Sequence, residues 1–185
     1  MSAPGSVEGR DRLRLFCALT LPEDVLDALG DWQRTELRCD ARTLPRDHLH
    51  VTLAFLGGRP AEEVGRISAE LRAAAGTLAG PVVLAPRRYR ETRSVGMLVL
   101  SDEGGRAAVL AGDLHTRLEG LGVYTREARE WLPHVTVLRF RQPPGLHPSL
   151  PELGAFSPSE AAVYHSLLRP TGAQYEVVDA VALGG

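Results

Sequence analysis

Lysine and asparagine are both missing from the 185 residues, and all 21 basic side chains are arginines. Without lysine there is no Schiff-base amine and no Walker P-loop; without asparagine there is no Cys-His-Asn triad and no N-glycosylation acceptor. Cysteine is scarce as well. Cys17 falls inside an apolar, strand-like stretch and reads as a small buried thiol, while Cys39 lies among polar residues. Two such cysteines give neither a disulfide framework nor a zinc-ligand spacing. No run is long enough to span a bilayer, and the N-terminus has no apolar signal-like core, which points to a reduced, cytoplasmic protein with no membrane partner. A net charge of −2 excludes a long electrostatic footprint on nucleic acid and still permits a small site gripping one terminal phosphate.

What the chain does contain is a short pattern used twice. His50-Val51-Thr52-Leu53 and His134-Val135-Thr136-Val137 both read His, apolar, Thr, apolar, 84 residues apart. Composition alone gives roughly 0.06 such matches, so chance is a poor account of two. Both segments are rich in strand formers, and a strand alternates its side chains between two faces. His50 and Thr52 therefore share one face, with Leu49, Val51, Leu53 and Phe55 on the other. His134 and Thr136 likewise stand opposite Val135 and Val137. Two imidazoles that titrate near neutrality can give and take a proton, and two hydroxyls can donate to phosphate oxygens. Two other uses of the same side chains stay open. His48, His50 and His134 resemble a three-histidine metal site, although no acidic residue neighbours either motif closely enough to look like a fourth ligand. A non-catalytic module could also use the cleft to hold a nucleotide or RNA phosphate.

Around the motifs, residues 1–11 read as a flexible leader and 12–185 as a single bilobal domain. A strand over Leu13–Leu19 precedes a helix opened by Pro22, with Val25, Leu29 and Trp32 on its inner stripe. Arg38–Asp47 reads as a polar connection. Gly57-Gly58 is expected to end the first motif strand and Pro60 to start a helix carrying Val64, Ile67 and Leu71. A strand near Val82–Leu84 leads into Arg87, Arg88, Arg90 and Arg93, read as a solvated loop or an RNA-backbone contact. Another strand spans Val95–Leu100. The third helix, about Gly105–Leu121, buries Leu110, Leu114, Leu118 and Leu121. His115 lies one residue off that stripe and reads as structural or surface, and it is expected to be dispensable, as is His147 in a long Pro-rich loop. A hairpin across Arg169–Gly172 closes the chain. The order is that of an α+β protein with helices outside mostly antiparallel sheets.

The paired motifs, the flanking Leu49–Gly57 and Arg129–Arg139, the first strand Arg14–Leu19 and the segment Tyr164–Glu176 together resemble the 2H phosphoesterases. Within these the chain is most similar to the RNA 2′,3′-cyclic phosphodiesterases, also called 2′-5′ RNA ligases. Met97 departs from the pattern, since the family often has Trp there. The resemblance implies a two-lobed fold with a central cleft, no cofactor and no metal, and a monomer acting on RNA or nucleotides with 2′,3′-cyclic phosphate ends. It implies hydrolysis to a 2′-phosphate, with His50 protonating the leaving 3′-oxygen and His134 activating water. Thr52 and Thr136 would hold phosphate oxygens, and Arg139 would stabilise the developing charge. Reversed, the same chemistry would make a 2′-5′ link. Strand parity, however, sets Arg139 on the Val135 side, away from His134.

Overall fold

Alternation begins at once in β1 (Arg12–Leu19): Leu15, Cys17 and Leu19 are buried in the main core, while Arg14 and Phe16 belong to the opposite face. In the computed structural model, which describes residues 12–170 and 172–184, the remaining strands are β2 (Arg42–Thr43), β3 (Val51–Pro60), β4 (Val83–Glu91), β5 (Val95–Glu103), β6 (His134–Arg139), β7 (Glu160–Arg169) and β8 (Gly172–Ala182). The helices are α1 (Glu23–Glu36), α2 (Val64–Ala75) and α3 (Arg106–Gly120). The leader expected over residues 1–11 lies outside the described residues, as does Thr171 of the closing hairpin.

Every pairing is antiparallel, in the order β4-β5-β6-β3-β1-β7-β8, with β2 also on β6. The two halves of this sheet are not joined alike. β1 and β3 share a ladder of eight residue pairs, whereas β3 and β6 touch at one, Val51 with Val135. Two half-sheets, each holding one motif, thus meet along a seam at the motifs themselves. This is the α+β, cleft-forming architecture that the resemblance implies.

The helices cover the apolar underside. Val25, Leu29 and Trp32 of α1, Ile67 and Leu71 of α2, and Leu110, Leu114 and Leu118 of α3 are all buried, as their spacing predicts. Leu121 only lies against the core edge. The first turn of α3 is held by Asp102 at the end of β5, whose carboxylate accepts from the backbone N–H of Ala107 and Ala108 at 3.1 and 2.8 Å. Cys17 is fully buried, and desolvation pushes its thiol up to about 12.

Three sequence expectations need correction. Gly57-Gly58 does not end β3. Gly57 adopts φ +68°, a left-handed conformation that favours glycine, and the strand runs on to Pro60. A single 3₁₀ turn, Ala61–Glu63, then precedes α2. Arg87, Arg88 and Arg90 are on β4 and not in a loop; they are exposed along the sheet edge, where charge discourages edge pairing. The polar connection also contains β2, paired with the end of β6.

Candidate active site

The register Val51↔Val135, continued one residue either way, sets His50 against Thr136 and Thr52 against His134. Both valines are fully buried, so the four polar residues share the opposite face at the seam. His50 Nε2 lies 3.1 Å from Thr52 Oγ1, and the ring also donates to the backbone of His48, two residues earlier. His134 repeats the arrangement, its Nδ1 donating to the Leu132 carbonyl at 2.8 Å. A bond from Nδ1 to a carbonyl fixes the tautomer and leaves Nε2 for proton transfer. Trp131 ties the two halves together by donating Nε1 to the Thr52 carbonyl at 3.0 Å.

His50 has a crowded apolar wall. Its ring centroid is 5.0 Å from Phe16, 6.1 Å from Tyr164 and 5.6 Å from Tyr175. Burial lowers its pKa to about 4, and Coulombic interaction with His48, His134 and Arg139 acts in the same direction. The His50 imidazole is therefore neutral at pH 7 in the free protein. On β5, Met97 pairs with Thr136 and Val99 with His134, and both are buried as an apolar floor. The family's frequent Trp position is thus filled by a smaller apolar residue.

Simple alternation fails just after each Thr, and in the same way twice. Along β6, Met97 pairs with Thr136 but Gly96 with Leu138, so Val137 is an extra residue. Along β3, Ala18 pairs with Thr52 but Cys17 with Ala54, so Leu53 is extra. Each is a β-bulge at the last motif position, and a bulge reverses the parity of the residues after it. Val137 and Leu138 are consequently both buried and Arg139 is turned outward, to the face of His134. The parity objection to Arg139 is removed. The same device corrects the expectation for Phe55. Expected in the core, it is 66% exposed, with its ring 5.8 Å from Phe16. Arg139 and Phe55 each stand three residues after their motif Thr, a correspondence between the copies that was readable in the sequence.

Each bulge is held by a buried polar side chain from a helix. Gln33 Nε2 of α1 donates to the Val137 carbonyl at 2.9 Å and to the Leu44 carbonyl at 3.2 Å, and Leu44 N–H also donates to Val137. His115 of α3 places Nε2 2.8 Å from the Leu53 carbonyl. His115 is thus structural, and Gln33 escaped the sequence reading because its role depends on a distant strand.

His48 does not lie beside His50 on the strand. It ends a 3₁₀ turn, Arg46–His48, and its ring stacks on Tyr175 at 4.4 Å. Among the described residues, no group of three or more His, Cys, Asp or Glu is arranged to hold a metal ion. Also among these, no helix is long and apolar enough to cross a membrane.

Comparison with known proteins agrees with this geometry. The sequence model of the family described as "LigT like Phosphoesterase" matches residues 19–84, which include the first motif. RNA 2′,3′-cyclic phosphodiesterase of Thermus thermophilus is 35% identical over 191 residues, covering 94% of this chain and 91% of that protein. The Escherichia coli protein of the same name is 29% identical over 144 residues, covering 68% of this chain and 71% of its own. A crystal structure from Thermus thermophilus superposes with TM-score 0.78 at 30% identity, covering 94% of this chain and 99% of that one. Escherichia coli LigT complexed with NADP+ superposes with TM-score 0.80 at 25% identity, covering 95% and 99%. The chain is therefore an enzyme of the LigT-like phosphoesterase family, in the 2H superfamily to which the RNA 2′,3′-cyclic phosphodiesterases belong.

Proposed function

We propose that the protein hydrolyses 2′,3′-cyclic phosphate ends of RNA to 2′-phosphates, using two imidazoles and no metal. The observation that carries this reading is the seam, where two His-x-Thr strands meet at one residue pair and set four proton-transferring or hydrogen-bonding side chains on one face. The names of the curated relatives supply the substrate class.

In the reaction a water oxygen attacks phosphorus and its proton passes to Nε2 of His134. The bond from phosphorus to the 3′-oxygen breaks as that oxygen takes a proton from His50. The phosphate stays on the 2′-oxygen, and solvent returns the two rings to their starting states. Thr52 and Thr136 donate to the non-bridging oxygens, and Arg139 offsets the charge that builds on them in the transition state. His50 is neutral in the free protein because of burial and, to a smaller extent, the Coulombic influence of neighbours that include the Arg139 guanidinium. The diester monoanion reverses the second of these effects, so substrate binding itself favours the imidazolium needed as acid. Phe55 offers an exposed ring on which a base can stack. A 5′-hydroxyl attacking in place of water, by the same steps, gives the 2′-5′ link.

The test is incubation with a nucleoside 2′,3′-cyclic phosphate, with the product identified by phosphorus NMR. A 2′-phosphate is expected, formed as fast in excess chelator as without it. A predominant 3′-phosphate would reject the assignment of His50 to the 3′-oxygen. Activity lost on chelation and regained with added metal would reject the metal-free mechanism.

A further inference from the structure

Beside the motif histidines lies a cleft lined by Arg14, Arg42, Arg139, His48, Ser166 and Tyr175 together with apolar residues. Among the described residues its lining includes no carboxylate, in a chain whose net charge is −2. Several arginines elsewhere on the molecule are matched by acids, while others, such as Arg87, Arg88 and Arg90 on the edge strand β4, form no ion pair among the described residues. Arg46 pairs with Glu23 and Asp27, Arg72 with Asp179, and Arg117 with Glu70 and Asp113. Among the described residues, Arg14, Arg42 and Arg139 form no ion pair.

Two of the three are also set directly against each other. Arg42 of β2 and Arg139 of β6 are register partners, an arrangement of like charges that costs stability unless an anion lies between them. The β7–β8 hairpin comes down beside Arg42. The Arg42 guanidinium lies against Gly172, where a Cβ would meet its Nη2 at 2.8 Å. The cleft is continuous with the site. Arg139 faces both, His48 stacks on Tyr175 at 4.4 Å, and Tyr175 is 5.6 Å from the ring of His50.

We propose that this cleft binds the phosphodiester on the 5′ side of the terminal nucleotide, so that the enzyme selects an RNA strand end over a free cyclic mononucleotide. The inference rests on the cyclic-phosphodiesterase reading. With the cyclic phosphate between His50 and His134, the strand continues only through the 5′-oxygen of that nucleotide. Its next charge is a single phosphodiester, and a cyclic mononucleotide has none there. Guanidiniums bind such a group by charge-assisted hydrogen bonds to its two free oxygens.

The experiment compares kcat/KM for three substrates: a cyclic mononucleotide, a dinucleotide ending in a 2′,3′-cyclic phosphate, and that dinucleotide with an uncharged methylphosphonate linkage. The unmodified enzyme should favour the charged dinucleotide about tenfold over each of the others. Arg42→Ala and Arg14→Ala, both at exposed positions, should each remove most of that preference and leave the mononucleotide rate unchanged. A variant that lowers all three rates equally, or a methylphosphonate turned over as fast as the charged dinucleotide, would overturn the proposal while leaving the phosphodiesterase reading intact. No turnover of any substrate by the unmodified enzyme would overturn that reading, and this one with it.

Discussion

A histidine held near pKa 4 by its surroundings has a measurable consequence, because kcat/KM reports the free enzyme and kcat the complex. The limb of the kcat/KM profile that belongs to the His50 proton should fall near pH 4. The same limb in kcat should lie at higher pH, since the bound phosphate stabilises the imidazolium. Coincident limbs in a pH titration on a cyclic mononucleotide would contradict the coupling between substrate charge and His50. Removing either ring should cost about 10²–10⁴-fold in kcat, the usual range for a general acid or base. His50→Ala and His134→Ala are each expected to show that loss in a cyclic-phosphate assay with circular dichroism unchanged. The double variant should be little worse than either single one, because proton donation and acceptance serve one concerted transfer. Full activity in either single variant would remove that histidine from the mechanism.

Along the strands, the chemistry depends on two bulges. Gln33→Leu withdraws a buried donor from the Val137 and Leu44 carbonyls. It should cost about 1–3 kcal/mol of stability, the penalty for buried acceptors that lose a partner. It should also lower kcat by loosening Arg139, and a double-mutant cycle separates the two effects. In an Arg139→Ala background, Gln33→Leu should still destabilise in thermal melts but should no longer lower kcat. Equal kcat losses in both backgrounds would mean that Gln33 acts on the site by another route. His115→Ala should destabilise in the same way by stranding the Leu53 carbonyl, contrary to the dispensability expected from its place off the helical stripe. These bulges also mark where sequence reading stopped. His50 and Thr52 were legible as neighbours because nothing interrupts the period of two between them, and the helix stripes were legible because 3.6-residue spacing is local. Arg139 and Phe55 were placed on the wrong face because an extra residue is created by pairing with β5 and β1 and by side chains from α1 and α3. Those partners are remote in the chain, and no local pattern encodes them. β2 was missed for a related reason, since two exposed residues acquire strand character only by lying against β6.

Across the complete fold, the seam that makes the site also makes the protein sensitive to acid. Two half-sheets joined at one residue pair bring His50 into an apolar wall near the Arg139 guanidinium, where its charged form is disfavoured. An unfolded chain returns that ring to its ordinary value of 6.5, against about 4 in the folded state. Between these values the unfolded state binds the extra proton, so stability rises with pH across the window. The contribution is complete above about pH 6.5 and is lost as pH falls toward 4. A shift of this size corresponds to ~3 kcal/mol at most. Carboxylates titrate over the same range, so the quantity to measure is a difference. Thermal melts of the unmodified protein and of His50→Gln at about pH 4.5 and 7.0 isolate the His50 share. The unmodified protein should lose roughly 5–10 °C more than the variant on acidification, given about 2–4 °C per kcal/mol for a chain of this size. The variant should gain on the unmodified protein at the lower pH, because it has no imidazole to ionise on unfolding. Parallel pH dependence in the two proteins would show that His50 is solvated well enough to titrate normally, and would withdraw the physical basis for substrate-induced protonation as well.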